Sequence, residues 1–284
     1  MPDTGLPQPR LARIHAVTYT VPDVQAIEAV YTRWLRYQVV AREVVSVDAA
    51  AGWHAAGLAG RPLLTLGPAS GEDVQLRFIE HPAAGGWQAL KTHGWNVSEI
   101  VVQDVDALAA SFAGSPLRII GPVTPLQRFP MIRAMQVLGP CGECLYFTEV
   151  GAGSGLALAP AQSFVGSVFI VVAGGPDLSG LFQTYERFAN TVDPPVATRV
   201  RVISLANELP AETEHRHGLV KLDHGMLIEL DQYPAVTTPR ARISESLPVG
   251  MAMVTFAALG LDAAQPRLLR GAADELIELV DEHG

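Results

Sequence analysis

The chain has few charges, and it lacks both an excess of basic residues and a long apolar run. Charged residues make up 17% of the 284 residues, and the 29 acidic side chains outnumber the 20 basic ones, for a formal net charge of -9. An acidic chain is not attracted to nucleic acid or to anionic membranes, so we expect neither as a partner. The most apolar stretch, residues 156–172, is interrupted by Pro160, Gln162 and Ser163, which argues against a membrane span.

Cysteine is also scarce, with only Cys141 and Cys144 in a C-x-x-C spacing. This spacing is found in redox dithiols and in zinc sites. A redox pair opens a helix, whereas here the cysteines precede the strand-like segment LYFTEV, and no second C-x-x-C is present to complete a zinc site. We therefore interpret Cys144 as a small buried residue and Cys141 as part of a turn.

The remaining composition is that of a folded protein, with 49% hydrophobic residues and a length about twice that of a typical domain. Two compact domains are the first expectation. The N-terminal residues lack the basic and then apolar layout of a signal peptide, so we expect a cytoplasmic protein.

Four segments share one pattern, in which a β-rich run is followed by a turn and an amphipathic helix. The first three turns contain an acidic residue suited to cap the helix, namely Asp23, then Asp104 or Asp106, and then Asp177. In the fourth segment, we expect the helix after Pro266. The first three helices are each followed by three more strand-like runs, which indicates βαβββ units in series, the fourth cut short after its helix.

The fold expected from this pattern is α+β, with tandem βαβββ units of which the last is incomplete. We predict a first domain over residues 1–150, a linker rich in small residues over 151–162, and a second domain over 163–284. The second domain would hold one full unit and one truncated strand-helix unit. Its unpaired strand edges favour a homodimer.

These segments resemble the vicinal oxygen chelate superfamily, which includes glyoxalase I, extradiol dioxygenases and bleomycin-binding proteins. The resemblance covers about residues 12–257 and is carried by HAVTYTVPDV, EIVVQDVDAL, VLGPCGECLYFTE and DHGMLIEL. It implies that two βαβββ units face each other around a concave ligand site. This chain would then form two curved mixed-sheet half barrels, the second incomplete. The resemblance also implies a divalent metal held by residues early in the first strands and by a Glu in the last strand.

The residues at those positions are poor metal ligands. They are Ala16, Val97 and Tyr146 in the first pair of units, and near Ser167 and Met251 in the second pair, where the last strand is missing. Glu229 has the expected spacing from Gly225, but it lies in the third unit, which the resemblance does not predict to supply a ligand. We therefore expect no metal at the usual place and no other cofactor.

Strand alternation predicts which side chains line the ligand site. With Thr18 facing inward, His15 faces the helices, although a one-residue bulge would turn it inward. The predicted site contains one acid, one base and several polar or aromatic groups: Thr18, Arg77, Trp95, Glu99, Gln136 and Tyr146. The histidines of EHRH at 214–217, together with His224, are interpreted as exposed loop residues rather than metal ligands.

These side chains suggest acid and base chemistry on a small molecule. Glu99 would be the general base, Tyr146 would donate to an oxyanion, and Arg77 would pair with a substrate carboxylate, while Thr18, Gln136 and Trp95 would bind the substrate. In a simpler alternative, Glu99 and Arg77 form only an internal ion pair. We favour an enzyme of the isomerase, epimerase or lyase type that acts on an oxygenated, carboxylated or aromatic compound.

Two other functions fit the same residues. One is a small-molecule or antibiotic binding protein, in which Trp95 and Tyr146 form aromatic walls. The other is a metal-dependent dioxygenase or glyoxalase-like lyase with rearranged ligands from His15, Glu99, Glu149 or Glu229.

Overall fold

Four successive units of strands and helices make up the chain in a computed structural model, which describes residues 8–282. The first unit contains β1 (Arg10–Val21), α1 (Val24–Trp34), β2 (Gln38–Val44), α2 (Val47–Gly52), β3 (Pro62–Gly67) and β4 (Gln75–Glu80). The second contains β5 (Gly94–Val102), α3 (Val105–Ser111), β6 (Arg118–Pro125), β7 (Ile132–Leu138) and β8 (Cys144–Val150). The third contains β9 (Val165–Gly175), α4 (Leu178–Tyr185), β10 (Val196–Arg199), α5 (Arg201–Ala206), β11 (Glu214–Lys221) and β12 (Leu227–Gln232). The fourth contains β13 (Gly250–Leu259), β14 (Leu268–Arg270) and β15 (Leu276–Asp281). None of the described helices is long and apolar enough to cross a membrane.

The three helices that follow first strands begin at the predicted acidic caps. The carboxylate of Asp23 accepts hydrogen bonds from the backbone N–H groups of Gln25 and Ala26 at the start of α1. Asp104 caps α3 and Asp177 caps α4 in the same manner. Each cap satisfies N–H groups that have no partner inside the helix, so the strand-to-helix turns could be located from the sequence.

The helix predicted after Pro266 is wrong, because this segment forms the antiparallel strands β14 and β15. Asp274 adopts a φ of 67°, and the N–H of Gly271 donates to the carbonyl of Glu275, which closes a tight turn between the two strands. Strand β15 then pairs in parallel with β13. Pairing with the sheet therefore overrides a local pattern that is compatible with a helix. The fourth unit lacks its helix but keeps a last strand.

The strands form two mixed sheets, and each sheet joins units that are not the expected partners. The first sheet has the order β14-β15-β13-β1-β4-β3-β2 and combines the first and fourth units. The second has the order β10-β11-β12-β9-β5-β8-β7-β6 and combines the second and third units. The division into domains at residues 1–150 and 163–284 stays a prediction, but the sheets do not follow it, because the segment 151–162 connects two strands of the second sheet.

One large hydrophobic core joins the two sheets. The hydroxyl groups of Tyr19 in β1 and Ser98 in β5 lie 2.7 Å apart in a hydrogen bond, and both residues are fully buried. The indole of Trp95 in β5 donates to the carbonyl of Leu276 in β15 at 2.7 Å. These bonds link the sheets through groups that would be costly to bury unpaired.

Candidate functional site

The face of each sheet that lies opposite the long helices is covered in part by a short inserted helix. On the second sheet, Phe147 points to the large core, whereas Cys144 and Tyr146 point to the opposite face, as alternation predicts. Helix α5 packs on that face through Val202 and Ile203. We call this face the second groove.

The corresponding face of the first sheet is called the first groove. It is covered by Ala50 of α2 and by Trp53, which pack with Met253 and Leu276 of the fourth unit. The inserted helices α2 and α5 occupy the same place in the first and third units, between the second and third strands.

The polar side chains of the first groove are bonded to one another. Glu278 accepts hydrogen bonds from the indole of Trp53 and from the hydroxyl of Thr255, both at 2.6 Å. Arg77 lies 3.8 Å from the same carboxylate and donates to Gln75 at 3.3 Å. Arg77 thus forms an internal ion pair as the simpler alternative supposed, but its partner is Glu278 and not Glu99.

His15 lies beside this ion pair, because a register irregularity between Ile14 and Ala16 interrupts the alternation of β1. Burial lowers the pKa of His15, and the positive charge of Arg77 lowers it further. Its Nδ1 atom is buried without a hydrogen-bond partner in the described part of the chain. The expectation that His15 faces the helices is therefore wrong, and the bulge that would turn it inward is present.

The second groove holds the carboxyl group of Glu99. Glu99 is 8% exposed and accepts a hydrogen bond of 2.5 Å from the hydroxyl of Thr148 in the neighbouring strand β8. Burial raises the pKa of Glu99 to about 8; the nearby charge of Glu229 also raises it, and the bond from Thr148 lowers it. This carboxyl group is placed to exchange a proton.

Tyr146 and Gln136 lie next to Glu99 along the sheet. Tyr146 is the register partner of Glu99 in β8, and Gln136 is the register partner of Tyr146 in β7. Gly121 in β6 makes room for Gln136, since a Cβ atom there would collide with the Gln136 side-chain oxygen. Burial raises the pKa of Tyr146 well above its usual range, so its hydroxyl keeps its proton.

The structure divides the predicted site between two places. Glu99, Gln136 and Tyr146 line the second groove, whereas Thr18 and Arg77 belong to strands of the first sheet. The expectation of one pocket was wrong because a βαβββ unit exposes the edge of its first strand, which can pair with any other unit. Sequence order alone does not fix the partner.

Trp95 lies in neither groove. It is fully buried in the large core, where its ring contacts Tyr185 and Phe256 at centroid distances of 6.4 and 6.1 Å. A register irregularity between Trp95 and Val97 explains the error, because it reverses the side of the strand on which Trp95 lies. Trp95 is therefore a core residue and cannot stack on a ligand in the second groove.

Three neighbouring residues of the second groove were not predicted from the sequence to lie together. His217 in β11 is the register partner of Asp231 in β12, and Glu229 lies two residues before Asp231 on the same side of the strand. One donor atom from each of these side chains falls within 4.8 Å of the others. Segment 214–217 is a strand and not an exposed loop. The signal in the sequence is the i, i+2 spacing of polar residues in His215/His217 and Glu229/Asp231.

The strand registers show which side chains of the first and last strands stand opposite one another. The register pairs Thr18 with Arg77, Glu99 with Tyr146, Val172 with Glu229, and Thr255 with Glu278 in the four units. These first-strand residues lie two to five residues after Ala16, Val97, Ser167 and Met251, the metal positions expected from the sequence. In the first groove, the cation of Arg77 stands where a ligand would be needed, and Glu278 is already bonded. In the second groove, the same positions hold Glu99, Tyr146, Val172 and Glu229, of which the two carboxylates are good metal ligands. Neither set of register partners consists only of metal ligands, and the absence of a metal at the family's usual position stays a prediction.

A cleft of about 580 Å³ lies between the segments that connect the units. Its lining includes Trp87, Lys91 and Arg240, together with Ala206 and Asn207 at the end of α5. Arg240 is held by the carbonyls of Trp95 and Met251. Glu99 does not line this cleft, and helix α5 contributes residues both to the cleft and to the second groove.

Comparisons with known proteins agree with this architecture. Searches against protein-family models and against curated proteins found no match. Among solved structures, glyoxalase I from Zea mays is similar, with a TM-score of 0.62 and 13% identity over 95% of this chain and 92% of that one. A provisionally named dioxygenase from Bacillus subtilis gives a TM-score of 0.64 and 12% identity over 97% of this chain and 86% of that one. The chain has the vicinal oxygen chelate fold, as the resemblance predicted.

Proposed function

We propose that the protein is a small-molecule enzyme that transfers a proton within an oxygenated compound bound in the second groove. The observation that carries the proposal is the position of Glu99, a buried carboxyl group fixed by Thr148 beside the phenol of Tyr146. The fold, which is shared with glyoxalase I from Zea mays, supports a ligand site on this face of the sheet.

In the proposed reaction, ionised Glu99 removes a proton from a carbon next to a carbonyl group. The electron pair moves to the carbonyl oxygen, and the hydroxyl of Tyr146 donates a hydrogen bond to the oxyanion that forms. Glu99 then delivers the proton to the adjacent carbon on the same face. The oxyanion gains a proton and the neighbouring hydroxyl group loses one through the hydroxyl of Tyr146, so that the substrate is isomerised.

The charge of the groove narrows the substrate class. Burial raises the pKa values of Glu99 and Asp231, and the nearby charge of Glu229 raises both further, so the charged groups that act on these two pKa values are carboxylates. Arg77, the predicted partner of a substrate carboxylate, is in the other groove. A neutral hydroxy aldehyde or hydroxy ketone therefore suits the site better than a carboxylated compound.

Proton exchange with solvent tests the proposal even when the product of the reaction is unidentified. The protein is incubated in D₂O with neutral hydroxy aldehydes and hydroxy ketones, and with their carboxylated counterparts, and deuterium on carbon is followed by NMR. We expect exchange of at least one neutral compound, reduced about 100-fold or more by Glu99→Gln. Glu186→Gln, at an exposed position after α4, is the matched control.

Two results would count against this function. Exchange at the wild-type rate in Glu99→Gln would remove Glu99 as the base. Stoichiometric retention of a compound without exchange would favour a binding protein, which uses the same groove without catalysis.

A further inference from the structure

The second groove contains a cluster of a histidine and two carboxyl groups outside the proposed proton-transfer pair. The imidazole Nδ1 atom of His217 lies 3.5 Å from a carboxylate oxygen of Glu229. The three side chains of His217, Glu229 and Asp231 together bring one donor atom each within 4.8 Å of the others. Donor atoms bound at the usual 2.0–2.2 Å from one ion stand about 3 to 4 Å apart, so small side-chain rotations would close the set.

Two buried atoms of this cluster have no conventional hydrogen bond within the described part of the chain, although both side chains lie next to Glu229. Asp231 is 2% exposed, no described residue donates a hydrogen bond to its Oδ1 atom, and its carboxyl group is close enough to share a proton with Glu229. The Nδ1 atom of His217 is also buried, and it has no hydrogen bond within the described residues. Buried polar atoms are normally satisfied, since an unpaired one is costly. A cation between these side chains would accept lone pairs from the imidazole and the carboxylates, and so would satisfy the atoms that lack a hydrogen bond.

The histidine is also oriented for this role. Its Nε2 atom is 3.1 Å from the hydroxyl of Thr198, which leaves Nδ1 directed toward Glu229. Metal-binding histidines commonly have their second ring nitrogen fixed by such a hydrogen bond. Thr198 would therefore be a positioning residue.

We propose that His217, Glu229 and Asp231 bind one divalent transition-metal cation in the second groove. One imidazole and two carboxylates form a mixed nitrogen and oxygen donor set, which suits Zn²⁺, Fe²⁺, Co²⁺ or Mn²⁺ better than Ca²⁺. The site differs from the metal position of the resembling superfamily in two of its three ligands. His217 comes from β11, the third strand of the unit, and Asp231 follows Glu229 by two residues in the last strand. Cation binding does not require proton transfer at Glu99.

Metal binding by the full chain, measured without any substrate, tests this site. The protein is freed of metal by dialysis against a chelator and titrated with Zn²⁺ in a calorimeter, and Co²⁺ binding is followed by its visible absorption. We expect one equivalent of Zn²⁺ and a cobalt spectrum with a nitrogen ligand. His217→Gln and Asp231→Asn should each weaken Zn²⁺ binding by about 100-fold or more.

The control for the histidine is His224→Gln, at an exposed position of the same unit, which should leave the affinity unchanged. Circular dichroism of the metal-free variants separates ligand loss from unfolding. Asp231→Asn removes a charge from a group of carboxylates, so we expect it to fold at least as stably as the wild type.

The outcomes separate this site from the proposed activity. Glu99→Gln should lose proton exchange and still bind one equivalent of Zn²⁺. Failure of the wild type to bind Zn²⁺ in stoichiometric amount, or equal affinities for the wild type, His217→Gln and Asp231→Asn, would overturn the metal site and leave the role of Glu99 open to its own test.

Discussion

The ion pair between Arg77 and Glu278 in the first groove can be used to test the role of Arg77. The two alternatives are that Arg77 binds substrate and that it stabilises the fold. The sequence predicts that Arg77 binds substrate, whereas the structure has it 3.8 Å from Glu278. We expect Arg77→Met to destabilise the protein and to have no specific effect on proton exchange in the second groove.

The magnitude follows from the burial of the pair and from its other bonds. Removing one partner of a fully buried ion pair costs about 3 to 5 kcal/mol. Here the side chains are about one-fifth exposed, at 20% and 18%, and the separation is long for a salt bridge. Glu278 also keeps its bonds from Trp53 and Thr255. We therefore expect Arg77→Met to lower the free energy of unfolding by about 2 kcal/mol, below the fully buried range.

A double-mutant cycle in urea isolates the interaction. The variants Arg77→Met, Glu278→Gln and the double substitution are unfolded in urea and followed by tryptophan fluorescence. The double variant should recover part of the loss, with a coupling energy of about 1 kcal/mol. Arg187→Met, at an exposed position, serves as the control and should change stability by less than about 0.5 kcal/mol. Unchanged stability of Arg77→Met, together with loss of proton exchange, would refute the structural interpretation.

Two further predictions concern buried titratable groups. Burial raises the pKa of Glu143 to about 7, so its contribution to folding is fully present below the ordinary carboxyl pKa of 4.5 and is lost as the pH rises from there through 7. The unfolding free energy of the wild type in urea should fall by about 2 kcal/mol relative to Glu143→Gln between pH 5 and pH 8, and parallel pH profiles would contradict this expectation. Burial also raises the pKa of Cys141 to about 12 and that of Cys144 above its usual range. A disulfide reagent at pH 8 should label neither thiol in the native protein and both in urea, and rapid labelling of the native C-x-x-C pair would contradict the structural role of these cysteines.

Features set by neighbouring residues were predictable from the sequence. The caps at Asp23, Asp104 and Asp177 depend on contacts within a few residues, and so do the alternating faces of β8 around Tyr146. The repeated order of these local signals was enough to predict the fold. The position of Glu99 beside Tyr146 also follows from strand alternation once the two strands are adjacent.

Features set by distant pairings were not predictable in the same manner. Arg77 and Glu99 lie in different sheets because the first unit pairs with the fourth and the second unit pairs with the third. The first-strand edges of the units are alike, so the sequence does not show which units pair. The errors at His15 and Trp95 come from single register irregularities, and nothing in the local sequence marks these. The last strand β15 was missed because its pairing with β13 is a contact with another part of the fourth unit.

The same four register positions explain why the two grooves differ in charge. The first groove has Arg77 and Glu278 at its last-strand positions, and the opposite charges neutralise each other. The second groove has Tyr146 and Glu229 there, with Glu99 and Asp231 nearby and His217 in contact with Glu229. Buried carboxyl groups without a cationic partner must take up protons or bind a cation, because their charged forms are otherwise poorly solvated. Chemistry is therefore expected in the second groove, and the first groove contributes stability.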